Sequence, residues 1–124
     1  MKIYSDGYTM GKNPSSVGGG YVVMDDDEKL LAMHEIRKPH FTNNEAELRG
    51  VLEAARQASK GDEIITDSMT AYYWGRSGKC KARPDLVEVA KEIKNYITNK
   101  NLKFYQLPRE MNKAGNYIEF TLQK

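Results

Sequence analysis

The chain has 124 residues, a formal net charge of +2, one cysteine and no apolar run near the ~20 residues of a membrane span. That length is one domain, residues 1–124, and the balance of 40% hydrophobic to 29% charged residues reads as a soluble globular chain. Cys80, being alone, excludes an internal disulfide; with no signal-peptide core at the start, the expectation is a reducing, cytoplasmic setting with no membrane partner.

Residues 2–9 read as a strand carrying Ile3-Tyr4-Ser5-Asp6-Gly7. A turn-rich stretch, Lys12-Asn13-Pro14-Ser15-Ser16, leads to a second strand over 17–24, entered through Gly18-Gly19-Gly20. Asp25-Asp26-Asp27 reads as a solvated hairpin turn rather than a metal site, and 30–36 as a third strand. The period then changes. Thr42-Asn43-Asn44-Glu45 has the form of a capping box, with Glu45 reaching back to Thr42. Leu48, Val51, Leu52 and Ala55 follow at helical spacing, and Gly61 is expected to end the helix. Glu63-Ile64-Ile65-Thr66 reads as a short strand, and 68–74 as a short helix. Pro84 fits the first turn of another helix, whose apolar face is Leu86, Val89, Ala90, Ile93 and Ile97. Residues 102–107 form a last strand, and a final helix starts near Asn112. The order β-β-β-α-β-α-α-β-α predicts an α/β fold, a mixed sheet with helices packed on it, without repeats or linkers.

Three acids fall at the ends of these elements: Asp6 late in the first strand, Glu47 in the first turn of its helix, and Asp67 just past the fourth strand. In α/β sheets ligands gather at the carboxyl ends of strands. Each acid also has a structural reading, as turn former, dipole partner or helix cap. Clustered together they repel, unless a cation sits among them, and hard divalent ions that take oxygen ligands suit such a cluster. A basic segment, Arg76, Lys79, Lys81 and Arg83, follows Tyr72-Tyr73-Trp74 and suits a phosphate backbone.

The ordered set Asp6-Gly7, Gly19-Gly20-Tyr21, Thr42-Asn43-Asn44-x-Ala46-Glu47-Leu48, Thr66-Asp67-Ser68 and Pro108-Arg109-Glu110-x-Asn112 resembles type 1 ribonuclease H, from residue 2 to about residue 119. The resemblance implies the ribonuclease H-like fold: five strands, the first three antiparallel and strands four and five parallel, flanked by helices. It implies a monomeric endoribonuclease that cuts the RNA strand of an RNA–DNA hybrid to 5′-phosphate and 3′-hydroxyl products. Two Mg²⁺ or Mn²⁺ ions ~4 Å apart would be held by the carboxylates. Asn44 matches a position contacting the hybrid near the cut, Thr42 and Asn43 match positions near the DNA-strand phosphate, and Asn13 is a weaker candidate for an RNA contact.

The sequence departs from that pattern in three places. Where the family carries a fourth carboxylate, four residues after the motif Asn, this chain has Asn116. The amide is the positional match for the fourth catalytic and metal ligand, and Glu119, one turn on, is the alternative source of charge. The loop before the last helix has no His, only Arg109 and Glu110 to take over part of its role. The segment 75–83 is too short for the basic handle of longer members. Two alternatives therefore stand beside the nuclease reading: a catalytically weakened module that binds nucleic acid or a partner, and another nuclease of the same fold.

Overall fold

In the computed structural model, which describes residues 1–122, β1 (Lys2–Thr9), β2 (Gly18–Asp25) and β3 (Leu30–Arg37) form an antiparallel meander. After α1 (Asn43–Gln57) come β4 (Glu63–Thr66), α2 (Met69–Ser77), α3 (Val87–Asn99), β5 (Lys103–Gln106) and α4 (Lys113–Tyr117). The sheet order is β3-β2-β1-β4-β5, with β4 parallel to β1 and β5 parallel to β4. The expected five-stranded mixed sheet is therefore present, with β1 at its centre.

Alternation along the strands separates two cores. Ile3, Val23 and Ile64 point to the side covered by α1, α2 and α3, where they pack with Leu48, Val51, Ala90 and Ile93. Tyr4, Val22, Met24 and Ile65 point to the other side and meet Ala114 and Ile118 of the last helix. Acids on β1 and just after β4 thus sit between a three-helix layer and a single short helix.

The helix ends show what local chemistry decides. Thr42 caps α1, its Oγ1 accepting the Glu45 N–H at 3.2 Å. The Glu45 carboxylate does not reach back as the capping-box reading had it. It is fully buried and accepts from Lys38, Arg49 and Arg83 instead. Three cations supply a buried carboxylate with far more than one backbone N–H offers. The helix also ends before Gly61. Its last turn is closed by Lys100, whose Nζ donates to the carbonyls of Ala55, Arg56 and Ala58 at 2.8–2.9 Å, a cation at the negative end of the dipole. Gly61 takes φ +83° in the turn into β4.

The short helix runs past Trp74 to Ser77 and stops where Gly78 turns left-handed at φ +71°. Arg76 is therefore a helical residue, not part of a loop. The Asp25-Asp26-Asp27 run is a hairpin turn, closed by Asp25 Oδ1, which accepts from the N–H groups of Asp27 and Lys29, both at 2.9 Å.

Candidate active site

Two close approaches bring the acids together. The first is between β1 and α1 at Gly7. A Cβ there would lie 2.4 Å from the Ala46 carbonyl carbon and 2.5 Å from the Glu47 nitrogen, so no other residue fits without displacing backbone. The Gly7 N–H donates to Glu47 Oε1 at 3.0 Å. Glu47 is the fifth residue of α1, in its second turn and buried, so it complements no dipole end. At the end of β4, Ser68 caps α2 by accepting the Ala71 N–H, which leaves the Asp67 carboxylate free to face β1.

The second approach is α4 across Asp6 and Asp67. A Cβ on Gly115 would stand 3.1 Å from Asp6 Oδ2 and 3.5 Å from Asp67 Oδ2. Asn112 anchors that approach. It is fully buried; its Oδ1 caps α4 through the N–H groups of Ala114 and Gly115. Its Nδ2 donates to the Ser5 carbonyl at 2.9 Å and to Asp67 Oδ2 at 3.2 Å. One side chain therefore joins β1, the end of β4 and the last helix.

The result is a cluster of Asp6, Glu47 and Asp67, in which one carboxylate oxygen from each lies within 4.8 Å of the other two. Both oxygens of Asp6 and Oε2 of Glu47 are buried without a hydrogen-bond partner, a costly arrangement that a bound cation would relieve. Burial is the main cause that pushes Asp6 up from 3.8 to about 6, with the Asp67 charge adding and Glu47, Arg109 and the Gly7 N–H opposing. Burial, then the Asp6 charge, holds Glu47 well above the ordinary carboxyl range. Asp67 is raised by burial and drawn back by Asn112 and Arg109. These hard, anionic oxygens fit Mg²⁺ or Mn²⁺.

The other predicted residues distribute unevenly. Asn116 lines a hollow with Met24, Glu28, Leu30 and Lys113, and no acid of the cluster lines it. Glu119 is exposed and outside the cluster, and it lies where the chain passes from α4 into a π turn over Ile118–Leu122. Asn44 is exposed at the start of α1. Asn13 Oδ1 accepts the Asn43 N–H at 2.9 Å, so its carbonyl oxygen braces the helix start. Thr42 Oγ1 also receives Arg83 Nη1 at 2.8 Å. Arg83 is committed to Glu45 and Asp85, which separates it from the exposed Arg76, Lys79 and Lys81 of the basic segment.

The residues whose roles the sequence did not disclose are Glu45, Gly115 and Asn112. Asn112 had a signal, the Pro-Arg-Glu-x-Asn motif, which named the residue and not its partners. Glu45 had a misleading one, since its spacing from Thr42 matches a capping box.

The chain matches the RNase H family model over residues 1–119. No curated protein sequence matches it. Among solved structures it is similar to the N-terminal RNase H domain of Rv2228c from Mycobacterium tuberculosis, at 23% identity and TM-score 0.68, covering 93% of this chain and 92% of that one. It is similar to RNase H1 from the halophilic archaeon Halobacterium salinarum, at 21% identity and TM-score 0.70, covering 98% and 96%. It is also similar to LC11-RNase H1, isolated from compost by a metagenomic approach and solved in complex with an RNA/DNA hybrid, at 26% identity and TM-score 0.62, covering 90% and 87%. A family match over nearly the whole chain, on this sheet order and with these acids converging, places the chain in the RNase H family.

Proposed function

We propose that this chain is a single-domain, monomeric, cytoplasmic endoribonuclease that hydrolyses the RNA strand of RNA–DNA hybrids. The observation that carries the reading is the convergence of three carboxylates, the buried Asp6 and Glu47 with oxygens left unpartnered and the half-buried Asp67. The hybrid seen with LC11-RNase H1 supports the substrate.

Asp6, Glu47 and Asp67 would hold two divalent ions, with Asn116 as a neutral fourth ligand from α4. Ions held there would supply an acidified water and positive charge against the scissile phosphate. Water attacks phosphorus, the P–O3′ bond breaks, and the 3′ oxygen leaves as a hydroxyl, so the other product carries the 5′-phosphate. Asn112 keeps Asp67 turned toward Asp6 through its amide donor. Exposed Asn44, with Thr42 and Asn43, would meet sugar and phosphate beside the cut, where a 2′-hydroxyl marks RNA. Arg76, Lys79 and Lys81 would track the backbone without reading bases.

The test is a labelled RNA–DNA hybrid incubated with Mg²⁺, Mn²⁺ or EDTA, with double-stranded DNA alongside. Internal cuts in the RNA strand are expected with either ion, better with Mn²⁺, and none in EDTA or in duplex DNA. Cleavage in EDTA would refute the assignment, and cleavage of duplex DNA would move it to another nuclease of the fold. A second reading, a binding module with weakened catalysis, is favoured by Asn116 standing where the family has a carboxylate and by Glu119 lying outside the cluster. It predicts that the hybrid is bound and left uncut even in Mn²⁺.

A further inference from the structure

Among the described residues, one cation stands within ion-pair range of the acid cluster. Arg109 Nη1 is 3.8 Å from Asp6 Oδ2 and 4.0 Å from Asp67 Oδ2. Neither distance is that of a hydrogen bond, and both Asp6 oxygens remain without a hydrogen-bonded partner. The guanidinium balances the charge of the two acids without being locked to them.

Its setting allows it to leave. The Arg109 side chain is 54% exposed, whereas Asp6 is fully buried. It rides on a one-turn 3-10 helix, Arg109–Met111, between Pro108 and the buried anchor Asn112. That anchor fixes the backbone beside the site, so the long side chain can swing while its Cα stays in place. Arg83 shows the opposite arrangement. It donates at 2.8–3.1 Å to Thr42, Glu45 and Asp85 and is held by all three. Two arginines near the proposed substrate face thus differ in kind, one fastened and one loose.

We infer that Arg109 is the resident counter-cation of the acid cluster: it holds Asp6 and Asp67 together before a divalent ion arrives, yields its place to that ion, and then turns its guanidinium to a phosphate oxygen of the bound strand. This rests on the metal-dependent reading above. The physical basis is competition. An arginine and a divalent ion cannot both neutralise the same two oxygens, so the ion must displace the guanidinium. A released guanidinium a few ångströms from the ions is suited to a phosphate, which it can bind through two N–H groups.

The binding and unfolding measurements use the full chain without nucleic acid, and hybrid cleavage in Mn²⁺ is assayed alongside. Mn²⁺ binding is measured by calorimetry for the parent, Arg109→Ala and Arg109→Lys, and thermal unfolding is recorded in EDTA. Arg109→Ala should bind Mn²⁺ about tenfold more tightly and melt at a lower temperature in EDTA. Arg109→Lys should fall between, since an ammonium on a flexible stem still competes but fits two oxygens less well. In the parent, the Arg109 Nε–H resonance should move as Mg²⁺ is added, saturating with the calorimetric curve. Unchanged or weaker Mn²⁺ binding by Arg109→Ala, or an Nε–H resonance indifferent to Mg²⁺, overturns the inference. A hybrid left uncut while Mn²⁺ binding tightens counts against the nuclease reading and leaves the counter-cation standing.

Discussion

Replacing Asp6 with Asn separates stability from activity. Asp6 is fully buried and its carboxyl is pushed up from 3.8 to about 6, first by burial. A carboxyl whose folded value is raised binds its proton more tightly in the native state, so stability falls as pH rises from near 4 to near 6 and stays reduced above that. From those two values, the charged Asp6 side chain costs the metal-free fold ~3 kcal/mol at pH 7.5 and ~0.6 kcal/mol at pH 4. Asn removes that cost but leaves a buried amide short of partners, a penalty of about 1–2 kcal/mol. The net is a gain of about 1–2 kcal/mol at pH 7.5, or a melting temperature raised by about 3–8 °C. At pH 4 the balance reverses and the variant should be no more stable than the parent. The assay is thermal unfolding of both proteins in EDTA at the two pH values, paired with hybrid cleavage in Mn²⁺, where the variant should lose several orders of magnitude in rate. Adding Mg²⁺ should raise the melting temperature of the parent more than that of the variant. If Asp6→Asn is destabilised in EDTA at pH 7.5, or shifts by the same amount at both pH values, burial of the Asp6 charge is not a cost to the metal-free fold.

Two further expectations follow from the last helix. Asn116→Asp restores the charge the family pattern has there and should raise cleavage while lowering the Mg²⁺ concentration needed, read from metal titrations of hybrid cleavage; no change removes position 116 from the ligand set. Asn112→Ala loses the α4 cap and strips the buried Ser5 carbonyl of its donor, together about 2–4 kcal/mol in urea unfolding, and an unchanged midpoint would refute the anchoring role.

The strands, their order and the positions of the three acids were legible because each depends on local pattern: alternation on β1, a helical period after Thr42, a short apolar run before Asp67. What was not legible depends on contacts across the fold. Nothing beside Glu45 in the sequence announces Arg83, 38 residues away, so a local capping rule was the available reading, right for Thr42 and wrong for Glu45. The stop of α1 was misplaced for the same reason, since Lys100 belongs to another element. The last helix was read as one continuous face, whereas it changes to a π turn at Ile118, and Glu119 lies exposed and outside the acid cluster. The basic segment looked uniform in sequence, yet Arg83 spends its charge on carboxylates while Arg76, Lys79 and Lys81 remain exposed.

Glu45 bears on how the molecule opens as well as how it packs. Its side chain gathers Lys38 beyond β3, Arg49 one turn along α1 and Arg83 from the segment before α3. Releasing any one of these strands a buried charge with fewer partners, which makes separate fluctuation of the three segments unfavourable. The start of α1 and the approach to α3 therefore behave as one cooperative unit, exchanging their backbone hydrogens together rather than fraying one by one. Glu47 lies two residues further along the same helix. The segment leading into α3 is thus tied to the helix that carries one acid of the cluster.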